Sequence, residues 1–197
     1  MMLSSDDIRK ALEDGSLVVE PFHESCIRLS GLSLHLGEQI LRPRPGTVVD
    51  VLKRIAPEYD EQTITLEEPC VLAPHEFVLA HTLELVTVGQ QYGLLIEGRS
   101  TLARVGLTVV QTAMIVDPGH TARSITLELA NHSPNPILLY PKMKIARAAL
   151  FEFKTPPAEA YDKVGKYRGQ KAVGRPIFQT EFLEEWYAEE VKNGRKF

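Results

Sequence analysis

From Leu17 to Phe153 the apolar residues come in short runs, each cut off by Pro, Gly, Asn or Asp, and no pattern of helical length intervenes. The runs are Leu17–Val19, Leu32–Leu36, Thr63–Leu66, Phe77–Val88, Tyr92–Ile96, Leu107–Val116, Ser124–Ala130, Pro136–Tyr140 and Ile145–Phe153. In Ser124–Ala130 the alternation has a period of two: Ile125, Leu127 and Leu129 fall on one face, Thr126 and Glu128 on the other. Parallel strands need long crossovers, usually helices, and this stretch offers none. Many short strands separated by turns predict an all-β fold, a sandwich, jelly roll or barrel.

The flanks differ. Residues 4–14 read as a helix: Ser4 or Ser5 can cap it, Asp6 and Asp7 suit its positive end, Ile8, Ala11 and Leu12 share a face, and Gly15 stops it. Residues 154–180 are polar and rich in Lys, Gly and Tyr, as in a mobile tail or lid. Residues 181–192 look helical again, with Phe182, Trp186 and Val191 at roughly helical spacing. The expected division is a β domain with its N-terminal helix over 1–153 and a lid with a terminal helix over 154–197.

A formal net charge of −4 and a pI of about 5.9 argue against binding nucleic-acid polymers, which takes a basic face. A small anion needs only one local Arg/Lys cluster. Cys26 and Cys70 lie far apart and follow no metal spacing, so a reducing, cytoplasmic setting is expected. No signal peptide or membrane span is read in the chain.

Three clusters could carry chemistry. Glu97 to Leu107 packs Arg99, Ser100, Thr101 and Arg104 between Gly98 and Gly106, and arginine forks suit phosphate oxygens. Composition alone would make it a polar turn with surface ion pairs. Asp117, before Pro118-Gly119, is a turn residue unless it bonds a ligand such as a sugar hydroxyl. Glu128 belongs in solvent unless its face is enclosed, in which case desolvation raises its pKa toward the range of a general base. Pro69-Cys70 is followed by Val71-Leu72-Ala73, so the second cysteine of a Pro-Cys-x-x-Cys zinc motif is absent.

Taken in order, Gly98 to Arg104, Thr112-Ala113, Asp117-Pro118-Gly119, Thr126 to Leu129, Tyr140 to Ile145, and Tyr161 with Lys166 to Gln170 resemble the dCTP deaminases of the dUTPase-like superfamily. The opening Leu3 to Ile8 and Glu20-Pro21-Phe22 fit as well, so the resemblance covers roughly residues 3–172. It implies a distorted jelly-roll (β-clip) homotrimer with its site between subunits, turning dCTP into dUTP and ammonia without zinc. Glu128 would be the general base and acid, and Ser100 and Arg104 would orient the water and base. Arg99, Ser100, Thr101, Leu102, Ala103 and Arg104 would form part of the nucleotide and phosphate site. Asp117 would contact the deoxyribose, and Thr126 and Leu127 would flank the base through backbone groups. Tyr161, Lys166 and Gln170 would close over the nucleotide. Mg²⁺ would ride on the triphosphate, with no protein side chain as ligand.

Three departures from the family pattern stand out. One extra residue lies between Gly119 and Glu128, and only a bulge or longer turn before Ser124 keeps Glu128 inward. Ser33 and His35 replace an acid and an arginine; His35 and His120 read as ordinary satisfied histidines. Met114-Ile115 replaces a His-Arg pair, and the apolar Ile115 is nearer the bifunctional members that carry dCTP through to dUMP. Three alternatives to the dUTP-releasing deaminase remain: a bifunctional enzyme forming dUMP, a pure dUTPase, and a catalytically weak nucleotide-binding trimer.

Overall fold

The computed structural model describes residues 1–178; the helix expected over 181–192 lies outside the described residues. Every strand pairing is antiparallel. One five-stranded sheet runs Leu107–Thr108, Thr126–Asn131, Phe77–His81, Gln39–Pro43, Tyr59–Thr63. A second runs Ile115–Val116, Tyr92–Gly98, Lys144–Glu152, Gly31–His35, Ile27–Arg28. A three-stranded sheet orders Leu17–Glu20, Leu85–Val88 and His120–Arg123, and Cys70–Leu72 pairs with Ile137–Leu139. The fold is all-β with short helices, as the period-two pattern requires.

Inward residues of the two large sheets share one apolar core. Leu127, Leu129, Val78 and Ile40 from the first join Leu34, Ile96, Ile145 and Leu150 from the second. Burying one such side chain is worth about 1.5–3 kcal/mol. The N-terminal helix, Ser5–Glu13, starts with a capping box between Ser4 and Asp7 and buries Ile8 and Ala11. Gly15 follows it with φ 77°, which glycine adopts without strain.

Two runs read as single strands are in fact corners between sheets. Phe77–Val88 splits into Phe77–His81 and Leu85–Val88. Leu107–Val116 splits into Leu107–Thr108 and Ile115–Val116. At the first corner Thr82 Oγ1 accepts the Ile125 N–H and donates to the Glu84 carbonyl, both at 2.9 Å. The Thr82 N–H donates to the Ile125 carbonyl at 2.9 Å. This lacing ties the corner to the start of the Glu128 strand. The run at Thr63–Leu66 is displaced: the strand is Tyr59–Thr63, and Leu66 is exposed. Gln39–Pro43, Cys70–Leu72 and His120–Arg123 are strands that the pattern did not reveal. Ser100–Arg104, read as part of a polar loop, is a short helix. Among the described residues no helix is long and apolar enough to cross a membrane. Cys26 and Cys70 are both buried and free.

Candidate active site

The strand Thr126–Asn131 sets the floor of the site. Its alternation sends Leu127 and Leu129 into the core and leaves Thr126 and Glu128 half-buried on the other face. The register places Glu128 opposite Leu79 on Phe77–His81. Side chains of opposed residues share a face, so Leu79, and Phe77 two residues earlier, lie beside Glu128. The result is a cavity of about 560 Å³. It holds Asp117, Thr126, Glu128, Tyr161, Lys166 and Gln170, all named from the sequence, together with Tyr59, Phe77, Leu79, Ile115, Arg123 and Tyr167.

The Glu128 carboxylate has modest compensation for its burial. One backbone N–H, from Gln111, donates to its Oε2 at 3.2 Å. No cation pairs with it among the described residues. Burial disfavours the charged form and pushes its pKa above the usual carboxylate value, against the smaller opposing pull of the Gln111 N–H. A carboxylate shifted in this direction holds a proton more readily than one in open solvent, which suits a group that must take up a proton and give it back.

The extra residue before Glu128 is absorbed by a bulge. His120 opposes Val88 but Arg123 opposes Val86, so Thr121 and Ala122 on one strand stand against Thr87 alone on its neighbour. Ala122 sits at φ 44°, sparsely allowed for a residue with a Cβ, and its N–H donates to Thr87 Oγ1 at 2.8 Å. Glu128 therefore keeps its inward face.

The tail straps across the cavity. The N–H groups of Tyr161 and Asp162, in the short helix Tyr161–Val164, donate to the carbonyls of Pro118 and Gly119, each at 3.0 Å. Gly119 has φ 76°, and a Cβ there would lie 2.6 Å from Ala160 Cβ, so glycine is needed for the tail to dock. Gln170 Nε2 donates to Thr126 Oγ1, and the Gly174 N–H donates to the same oxygen at 3.3 Å. Ser124 adds two bonds, its N–H to the Gln170 carbonyl and its Oγ to the Ala172 carbonyl, both 3.2 Å. Ser124 to Thr126 and the tail thus close one wall together.

Other sequence-named residues lie elsewhere. Arg99, Ser100, Thr101, Leu102, Ala103 and Arg104 do not line this cavity. Arg99 Nη1 donates to Ser33 Oγ at 3.3 Å, and Arg28 Nε donates to the same oxygen at 3.2 Å. Ser100, Thr101, Ala103 and Arg104 are exposed on the surface of the chain. Leu127 is wholly buried in the core, because period two turns it away from Glu128; its backbone pairs with Ala80. His35 is satisfied by the buried Glu84: Nδ1 lies 2.5 Å from one carboxylate oxygen, and the His35 N–H donates to the other. His120 is buried, which lowers its pKa; its Nδ1 donates to the Asp117 carbonyl at 3.0 Å, while its Nε2 finds no partner among the described residues.

Phe77 and Leu79 had a signal in the sequence. Phe77-Val78-Leu79-Ala80 is continuously apolar, so both faces of that strand are covered, one by the core and one by the cavity. Arg123 had none, since the bulge that aims it is invisible to periodicity.

Comparison with known proteins bears on the family and the fold. A family model described as dCTP deaminase-like matches residues 2–153. A dUMP-forming dCTP deaminase of Aquifex aeolicus is 38% identical over 173 residues, 88% of this chain and 92% of the relative. One of Salinispora arenicola is 34% identical over 180 residues, 87% and 91% of the two chains. The crystal structure of a 2′-deoxycytidine 5′-triphosphate deaminase from Agrobacterium tumefaciens superposes with a TM-score of 0.58 at 20% identity. That match covers 77% of this chain and 48% of the longer one, and it bears on the fold alone.

Proposed function

The chain belongs to the dCTP deaminase-like family, and from that premise we propose that it deaminates dCTP without zinc and carries the product through to dUMP. The relatives named above are dUMP-forming, which favours the bifunctional reading over release of dUTP. The observation that carries the chemistry is the half-buried Glu128 carboxylate, free of any cation partner among the described residues, in a cavity that also holds Asp117.

In the first step Glu128 takes a proton from water as the oxygen bonds to C4 of the cytosine, the C4=N3 π bond opens, and that proton passes to N3. Glu128 then takes the proton of the new C4 hydroxyl and gives it to the exocyclic nitrogen, C4=O forms, the bond from C4 to that nitrogen breaks and ammonia leaves; dCTP and water give dUTP and ammonia. Phe77 and Leu79 offer an apolar face to the base. In the second step water adds at the α-phosphorus and pyrophosphate leaves, giving dUMP, with Asp117 placed to position the water or the sugar. Among the described residues no three His, Cys, Asp or Glu side chains converge as a metal site. Mg²⁺ would arrive on the triphosphate, ligated by phosphate oxygens and water.

Ser100 and Arg104, exposed and outside the cavity of their own chain, would complete the site of a neighbouring chain in a homotrimer. Neutral donors and an arginine there would orient the attacking water and stabilise charge developing on the base.

The test is product analysis of the pure protein with dCTP and Mg²⁺, and separately with dUTP. The proposal expects dUMP and pyrophosphate from dCTP. Accumulated dUTP, with added dUTP untouched, would restrict the protein to deamination; no turnover of either would leave only nucleotide binding.

A further inference from the structure

Arg123 enters the cavity as a consequence of the bulge. A half-buried cation in a cavity needs compensation, yet no carboxylate of the described residues pairs with this one, and its buried Nε has no hydrogen-bond partner. Its one marked contact is with the tail: the guanidinium carbon lies 4.6 Å from the centroid of the Tyr161 ring. A ring contact of this kind uses no N–H donor of the guanidinium, whose side chain lines the cavity, and a planar fork of donors is matched by an oxyanion with paired oxygens.

Position narrows the choice of anion. Arg123 and Glu128 are five residues apart on a largely extended segment, a separation bounded by about 16 Å at roughly 3.3 Å per residue. At the Glu128 end the neighbours are Phe77 and Leu79, an apolar lining suited to a base. At the Arg123 end the neighbour is Tyr161, at the start of the helix that docks on Pro118 and Gly119. A nucleotide lying along the strand would present its base to the first end and its phosphates to the second.

We propose that Arg123 is a phosphate-binding residue of this site, created by the extra residue between Gly119 and Glu128. The inference rests on the nucleoside triphosphate reading above and adds a contact to it. Because the Tyr161 ring stacks on the same guanidinium, phosphate binding and docking of the tail act on one group.

The test uses the full chain with Arg123→Met, which keeps the apolar stem, and Arg123→Lys, which keeps charge without the fork. Two quantities are measured: kcat and KM for dCTP, and the affinity for inorganic tripolyphosphate with Mg²⁺ by calorimetry. A charged hydrogen bond lost from such a site corresponds to a change of roughly 10- to 100-fold. Arg123→Met is expected to raise KM and weaken tripolyphosphate binding by about that factor, with the effect on KM exceeding that on kcat, and Arg123→Lys is expected to recover part of both. If tripolyphosphate binds in an Arg123-dependent way but dCTP is not turned over, the phosphate site stands and the deaminase reading fails. A Met or Lys variant that melts like the parent and keeps both KM and tripolyphosphate affinity would overturn the inference.

Discussion

Glu128 and Arg104 are both polar residues close to buried strands, yet the structure treats them in opposite ways. Glu128 is enclosed: a cross-strand neighbour, a bulge and a docked tail all come from its own chain. Arg104 ends a five-residue helix whose Ser100, Thr101, Ala103 and Arg104 are all exposed and do not line the cavity that holds Glu128. The difference teaches that Glu128 lies at a cavity of its own chain while Arg104 lies on a separate, exposed surface. On the function proposed above, the site is complete only where two copies meet.

The comparison can be broken most sharply at Glu128. Glu128→Gln keeps size and hydrogen bonding but removes the base, so deamination should fall by about 10²–10⁴-fold, read as ammonia release. Retained turnover would remove Glu128 from the chemistry. Its thermal stability should rise above the parent's at neutral pH, since the buried charge without a cation partner is gone.

Arg104→Ala should lower kcat/KM by roughly 10- to 100-fold, the loss of a charged hydrogen bond, without changing the melting temperature of a residue already exposed. A melting temperature that fell with activity would make Arg104 structural. Leu127→Ala tests the opposite face of the same strand. It should cost about 2–5 kcal/mol in denaturant unfolding, because the site is fully packed.

The smallest expected effect is a displaced pH limb. Glu128 works as a base only when ionised, so kcat/KM falls as pH drops through its pKa. Because burial raises that pKa, the acid limb should lie above the reference carboxylate value of 4.5. A limb at or below that value would mean that the cavity is more open to water than its lining indicates.

The sequence was legible where packing obeys a simple period. Strict alternation in Ser124–Ala130 placed Leu127 and Glu128 on opposite faces, and the structure does the same, with Leu127 in the core and Glu128 on the cavity face. It was less legible at corners. Phe77–Val88 reads as one apolar run because both halves are buried, although Thr82 turns the chain from one sheet to another. Gln39–Pro43 escaped because Ile40 and Leu41 are buried in succession and the strand ends in proline, which erases the period. At the site, ordered motifs identified Asp117, Glu128, Tyr161, Lys166 and Gln170, and the fold brings these to one cavity. Arg123 was out of reach, since its direction depends on Ala122 at a positive φ and on the hydrogen bond that the Ala122 N–H donates to Thr87 Oγ1. The motif residues 99–104 were named together with Glu128, but a linear pattern does not say whether two segments meet within one chain.

That last question has a direct measurement. Glu128→Gln and Arg104→Ala chains, each with its own tag, would be co-expressed, purified as mixed oligomers, and assayed for ammonia release from dCTP. If Glu128 and Arg104 act in one site drawn from two chains, some sites in the mixture pair an intact Glu128 with an intact Arg104, and activity should rise far above that of either variant alone. A mixture no more active than the sum of its separate parts, while verified as mixed oligomers, would contradict the divided site.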